Sequence, residues 1–96
     1  MGNPFPTRTE LLVLGLLRDE PRGLYGLEMV RASNGDLARG TVYVLLGRLE
    51  EKGYVRSWVK EQPDHPGLPR PRYALTAKGR RVLEAADAIG LLTARA

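Results

Sequence analysis

The stretch RGTVYVLLGRLEEKG, residues 39–53, carries the clearest periodicity in the chain. Apolar side chains recur there at i, i+3, i+4 and i+7, a spacing that places them on one face of an α-helix. We therefore predict a helix from about Gly40 to Lys52, which Gly53 ends. Its buried stripe is expected to consist of Val42, Leu45, Leu46 and Leu49.

The opposite face of this helix is predicted to point into solvent. Successive residues of a helix are rotated by about 100°, which assigns small and aromatic residues to this face and charged residues only to its edges. It carries Gly40, Tyr43, Val44 and Gly47, with Arg48 on its flank and Arg39 just before the first turn.

A first helix is predicted near the start of the chain. Thr7 and Glu10 have the spacing of a capping box, and the helix they start runs to about Asp19. This helix is apolar on nearly every face, which is more than one small core needs, so we expect a second buried contact such as a dimer interface. Residues 1–6 hold two prolines and a glycine and are predicted to form a flexible arm.

A second, shorter helix is predicted between these two. A turn at 20–23 precedes it, and its pattern extends from Leu24 to about Arg31. The Asn-Gly-Asp sequence at 34–36 is flanked by helical patterns rather than by strands, so it predicts a helix stop and not a hairpin.

Two strands around a proline-rich loop are predicted after the long helix. The segment 54–62 is rich in β-branched and aromatic residues. Its alternation is expected to send Val55 and Val59 to one side and Arg56 and Lys60 to the other. The loop 63–71 cannot continue a ladder, and a second strand follows over 72–75. Together they describe a wing.

Thr76 then caps a final helix whose apolar side chains form a broad face. The residues of this face are Val82, Ala86 and Ile89, widened by Leu83, Leu91 and Leu92. We expect the first and last helices to meet a second copy of the chain. The predicted interface residues are Leu11, Leu14, Val82, Ala86, Ile89 and Leu92.

The predicted order is helix, helix, helix, strand, wing, strand, helix, which indicates a mainly α fold with a two-stranded β-wing. Few small folds need this order, and the winged helix-turn-helix is the one that fits. We assign residues 7–76 to a winged helix-turn-helix DNA-binding domain and 77–96 to a helix for dimerisation. A length of 96 residues supports one hydrophobic core.

The charge distribution favours a polyanionic partner. The whole chain has a net charge of +4, but residues 52–81 alone hold eight basic and two acidic residues. The remainder is therefore net negative, which suits a protein with one phosphate-facing surface. A solvated basic face without a partner is the alternative explanation.

The sequence lacks the residues that several classes of function require. The chain has no cysteine and one histidine, so thiolate catalysis and the usual zinc sites are excluded, and we expect no metal or cofactor. It contains neither a nucleophile-elbow motif nor a phosphate-binding loop, which argues against an enzyme. No apolar run approaches the roughly 20 residues that span a bilayer, and a cytoplasmic location is expected.

A winged helix places its third helix in the major groove and its wing on the backbone or the minor groove. The glycines would permit close approach, while hydroxyl and guanidinium groups would contact phosphates or bases. The predicted DNA-binding residues are Arg39, Gly40, Thr41, Tyr43, Val44, Gly47, Arg48, Lys60, Arg70 and Arg72.

Four of the polar and aromatic residues also have structural explanations. Tyr43 could be a half-buried aromatic resting on the second helix, and Arg48 could pair with a nearby glutamate, either Glu28 or Glu51. Trp58 can fill the core, line a dimer cleft or stack on a flat ligand, and packing is the preferred role. His65 lies in a Pro/Gly loop without ligand-spaced partners, so an exposed loop residue is expected.

Four motifs resemble those of the PadR-like transcriptional regulators. They are LLVLGLL at 11–17, PRGLYGLE at 21–28, GTVYVLLGRLEEKGYV at 40–55 and RYALTAKG at 72–79. The third, with its Thr-x-Tyr and Leu-x-x-Leu-Glu-x-x-Gly pattern, is the most diagnostic. Together the motifs cover about positions 9–83.

The resemblance implies a homodimeric repressor whose winged domains bind a roughly palindromic operator. It carries functional roles over to Thr41 and Tyr43 and to the arginines of the wing. Many relatives continue into a longer helical region, whereas this sequence stops at Ala96, so whether a small-molecule effector binds is left open. The predicted function is sequence-specific binding of double-stranded DNA, and the alternative is a winged-helix module that binds proteins.

Overall fold

The computed structural model describes residues 5–59 and 70–90. The elements follow the predicted order, with one short strand added before the second helix. They are α1 (Arg8–Leu16), β1 (Leu24–Tyr25), α2 (Gly26–Ala32), α3 (Arg39–Glu51), β2 (Val55–Trp58), β3 (Arg72–Leu75) and α4 (Ala77–Ala88).

The capping box predicted for α1 is present. The amide of Glu10 donates to Oγ1 of Thr7 over 3.1 Å, and the amide of Thr7 donates to Oε1 of Glu10 over 2.9 Å. The helix ends at Leu16, one turn before the predicted Asp19, because residues 17–23 form successive tight turns. Phe5 and Pro6, predicted as part of a flexible arm, are in fact partly or fully buried.

In the described part of the chain, the sheet has three strands rather than the two predicted. Leu24 was expected in the second helix, but with Tyr25 it forms β1, which pairs antiparallel with β3 in the order β1-β3-β2. The helix starts only at Gly26, because Oε1 of Glu28 accepts the Tyr25 amide over 2.7 Å and fixes the boundary there.

The second strand is shorter than its sequence pattern suggested. β2 ends at Trp58, and Val59 is 48% exposed instead of lying beside Val55 on the buried side. The residues of β3 pair with Val55–Trp58 of β2, so Val59 lies beyond the paired part of the strand. Lys60 and the tip of the predicted wing, residues 60–69, lie outside the described residues.

The predicted stripe of α3 forms the centre of the core. Val42, Leu46 and Leu49 are fully buried and Leu45 is 5% exposed. The helix ends as predicted at Gly53, whose φ of 81° is in the left-handed region that favours glycine. This packing fixes which face of α3 is left for solvent.

Three residues predicted for a dimer interface belong to the chain's own core. Leu11, Leu14 and Ala86 are at most 3% exposed, since α4 packs back against α1. The apolar excess of α1 is therefore used within the chain, and the prediction is wrong at these positions. Val82 is half-buried, Ile89 is 70% exposed, and Leu92 lies outside the described residues.

Within residues 5–59 and 70–90, no helix combines the length and the apolar character needed to cross a membrane.

Candidate nucleic-acid interface

The outward face of α3 is exposed along its whole length. All seven predicted residues of α3 are solvent-accessible, with Tyr43 46% and Val44 53% exposed. Because the buried stripe anchors the other side of the helix, these side chains share one fixed surface. We refer to residues 39–41, 43–44 and 47–48 as the α3 face.

Two positions of the α3 face are glycines, so no side chain projects from the helix there. A Cβ added at Gly40 or Gly47 would meet nothing within 4 Å, so the fold does not require glycine at either position. Glycine inside a helix costs about 1 kcal/mol relative to alanine. The chain thus carries a destabilising residue on a face where its own packing offers no reason for one.

Tyr43 packs on the second helix, the structural role considered for it, and is also partly exposed. Its ring lies against the first residue of α2, since a Cβ on Gly26 would be 2.7 Å from Cε1 and 2.9 Å from the hydroxyl oxygen of Tyr43. The ring nevertheless remains nearly half exposed on the α3 face. Glycine at position 26 is what lets α2 support this ring.

Within residues 5–59 and 70–90, neither arginine of the α3 face forms a salt bridge. In the described part of the chain, Arg48 forms no salt bridge with Glu28 or Glu51, the partners considered as an alternative. Both Arg39 and Arg48 are exposed, so their guanidinium groups can reach a polyanion at the edges of the face.

The two wing arginines differ in their contacts and exposure. Nη1 of Arg72 donates to the carbonyl of Gly23 over 3.1 Å, and its guanidinium lies 4.3 Å from the Tyr25 ring centroid. Arg70 is exposed and lies 5.1 Å from the same centroid. Arg72 therefore fastens β1 to β3, whereas Arg70 can contact phosphate.

Two aromatic residues of the sheet, Tyr25 and Trp58, pack against arginine guanidinium groups. Tyr25, which sequence reasoning did not assign, supports two of them, and Trp58 lies 4.6 Å below the guanidinium of Arg56. Trp58 also packs on Gly23, where an added Cβ would lie 2.8 Å from its Cη2 atom. The packing role preferred for Trp58 is thus confirmed, while His65 lies outside the described residues.

A buried ion pair joins the end of α3 to the start of α1. Nζ of Lys52 lies 2.9 Å from Oε1 of Glu10, whose side chain is 1% exposed. Burial alone would raise the pKa of Glu10. The hydrogen bonds from Lys52 and Thr7 and the positive charges of Lys52 and Arg48 outweigh burial, so the pKa lies below its ordinary value of 4.5.

This pair makes stability depend on acid pH. Because the pKa of Glu10 is lower in the folded than in the unfolded chain, its contribution is complete above about pH 4.5. That contribution is lost as the pH falls through the folded-state pKa. In urea titrations at pH values from about 7 to 3, the stability of Glu10→Gln should start lower and fall less steeply than that of the wild type. Parallel pH profiles for the two proteins would contradict this account.

The sheet is tied directly to α3. Oγ of Ser57 in β2 donates to Oε2 of Glu50 over 2.7 Å. With the Lys52 contact, this bond holds the carboxyl end of α3 from two sides. A side-chain hydrogen bond at the surface therefore links α3 to the base of the wing.

The family model of the PadR-like transcriptional regulators matches residues 13–85. The chain belongs to this family. The match covers all the elements from β1 to β3, the second half of α1 and most of α4. No curated protein matches the sequence significantly.

Solved structures show the same PadR-like winged-helix fold. A PadR family regulator from Clostridium difficile R20291 is 27% identical, with a TM-score of 0.73 and coverage of 93% of both chains. One from Eggerthella lenta DSM 2243 is 30% identical, with a TM-score of 0.71 over 91% of this chain and 75% of that one.

A further match is a structure of Staphylococcus aureus MepR in complex with DNA. It is 27% identical, with a TM-score of 0.72 over 88% of this chain. The chain spans 58% of the MepR chain, so the likeness concerns part of that protein.

Proposed function

We propose that this PadR-like regulator binds a specific double-stranded DNA operator as a homodimer and represses transcription there. The observation that carries the proposal is the α3 face. It is an exposed helix surface, anchored by the buried stripe behind it, with two glycines on it and exposed arginines at its edges that form no salt bridge with any described residue. Such a surface can enter a major groove, where base edges are distinguishable.

The comparison with MepR supports a DNA partner. That protein was solved on DNA, and the chain shares its fold at 27% identity. The positive charge of residues 52–81 adds a sequence-independent attraction to phosphates. We assign base contacts to the α3 face and phosphate contacts to the exposed arginines beside it.

The proposed dimer uses the end of α4. Ile89 is 70% exposed, the most of any large hydrophobic residue in the described part of the chain, and Val82 on the same helix is only half-buried. A second copy that covers these side chains would space two α3 helices for a palindromic site. Half-sites are then expected about 34 Å apart, one turn of DNA.

Separate replacement of the two wing arginines tests the DNA contact. In Arg70→Ala, the slope of log affinity against log salt should fall by about one per protomer, because one phosphate contact is lost. In Arg72→Ala, the main effect should be a lower melting temperature, since the side-chain hydrogen bond that supports the β1–β3 pairing is lost. Fluorescence titrations of labelled DNA over a salt series, with thermal melts, measure both.

The alternative function, a module that binds proteins, predicts a different result. DNA retention and its salt slope would then be unchanged in Arg70→Ala, and binding of a protein partner would be lost. That outcome would contradict the proposal.

A further inference from the structure

We propose that Val44 reads the C5-methyl group of a thymine in each operator half-site. This inference deepens the function proposed above and rests on it. It assigns one determinant of sequence specificity to one side chain.

Val44 is exposed where neither packing nor helix propensity favours valine. The side chain is 53% exposed near the middle of α3, on the side opposite the buried stripe. β-Branched residues are weaker helix formers than alanine, leucine or lysine. An exposed valine at this point gains nothing from the fold, so an external contact is the better explanation for it.

The surroundings of Val44 leave its isopropyl group free. Of its four neighbours one turn away, Thr41 and Arg48 carry side chains, whereas Gly40 and Gly47 do not. Apart from the helix's own backbone, no atom lies within 4 Å of where a Cβ on either glycine would be. The isopropyl group therefore projects above the surface on the sides that face the two glycines. Because valine in a helix is held almost entirely in one χ1 rotamer, little side-chain entropy is lost when a partner covers it.

The other apolar group on this face is already engaged. The outer edge of the Tyr43 ring, including its hydroxyl, lies against Gly26 of α2. This contact restricts the ring to the α2 side of the α3 face. Tyr43 thus contributes an exposed ring whose position is restricted, and Val44 is the more exposed apolar side chain of the face.

The major groove offers one kind of apolar group at base edges. Adenine, guanine and cytosine present nitrogen and oxygen donors and acceptors there, and thymine adds its C5-methyl. Arg39 and Arg48 at the edges of the face provide charge complementarity to the flanking phosphates. An isopropyl group placed between them would be covered best by a thymine methyl.

The test removes the thymine methyl from the DNA and, separately, the Val44 side chain from the protein. An operator is first obtained by selection from random duplexes, and each thymine is then replaced in turn by deoxyuridine. Deoxyuridine lacks the methyl but keeps every hydrogen-bonding group. At one position per half-site, wild-type affinity should fall about fourfold, the effect of one buried methyl group. Val44→Ala should bind more weakly and show no response at that position.

Variants of Val44 should fold, so the result can be interpreted. Alanine is the better helix former, and the melting temperature of Val44→Ala should be at least that of the wild type. Val44→Thr keeps one methyl and the branched shape, and should retain part of the response to deoxyuridine.

Two contrary outcomes are distinguishable. If deoxyuridine has no effect at any position, or if Val44→Ala responds as strongly as the wild type, the inference is overturned while salt-dependent operator binding leaves the proposed function intact. If no duplex is selected and none binds at low salt, the proposed function fails and the inference fails with it.

Discussion

Replacing Gly47 with leucine is expected to abolish most operator binding without unfolding the protein. The added side chain would stand in the middle of the α3 face, where nothing in the chain contacts a Cβ. A bulky group in a close-fitting interface costs about 1 to 3 kcal/mol, which corresponds to an affinity loss of about fivefold to more than a hundredfold. Meanwhile, removal of a helix glycine should stabilise the free protein by about 1 kcal/mol.

A suitable control for Gly47→Leu is Ala32→Leu. Ala32 is exposed at the carboxyl end of α2, at the opposite end of that helix from the Gly26–Tyr43 contact. Both variants add an exposed leucine, but only the first should lose DNA affinity. Equal affinities for the two variants in titrations at one salt concentration would show that the α3 face does not enter the groove.

Replacing Gly79 with alanine is expected to cause the largest loss of stability. Gly79 lies in the first turn of α4, and a Cβ there would overlap the backbone carbonyl oxygen of Tyr54. The Gly79 amide also donates to Oγ1 of Thr76 over 3.0 Å, so the helix cannot move away without losing its cap. We expect a loss of about 3 kcal/mol and a melting temperature lower by about 15 °C.

Gly15→Ala is the matched control for Gly79→Ala. Both replace a helix glycine with alanine, but a Cβ at Gly15 meets nothing within 4 Å. Its melting temperature should equal or exceed that of the wild type. A Gly79→Ala protein as stable as Gly15→Ala would mean that α4 is not docked on Tyr54 as described.

Local signals in the sequence predicted much of the fold. The capping box of Thr7 and Glu10, the stripe of α3 and the cap at Thr76 depend on residues within about two helical turns of each other. These features form in the structure as predicted. Their physical causes are satisfied amides and a periodic apolar face, both of which are visible in sequence.

Features that depend on distant partners were not predicted. β1 has two residues and exists because β3 pairs with it, so its own sequence resembles the start of a helix. The Glu10–Lys52 pair joins residues 42 positions apart. The one local signal for the start of α2 was Glu28, three residues after Tyr25, whose side chain accepts the Tyr25 amide.

The exposure of the predicted α3 residues could be derived from the sequence, whereas the different contacts of the two wing arginines could not. The exposed α3 residues follow directly from the buried stripe on the other side of the helix. By contrast, the difference between Arg70 and Arg72 depends on Tyr25 and Gly23, which only the third strand brings beside them. The error at Leu11, Leu14 and Ala86 has the same origin, because the packing of α4 on α1 is a tertiary contact.

The most direct measurement of the central claim is selection of bound duplexes from a random DNA pool by the wild-type protein, followed by sequencing. The account predicts enrichment of an inverted repeat whose half-site centres lie about 10 base pairs apart, bound with an affinity that falls steeply as salt rises. A pool that shows no enriched sequence after repeated rounds at low salt would contradict it.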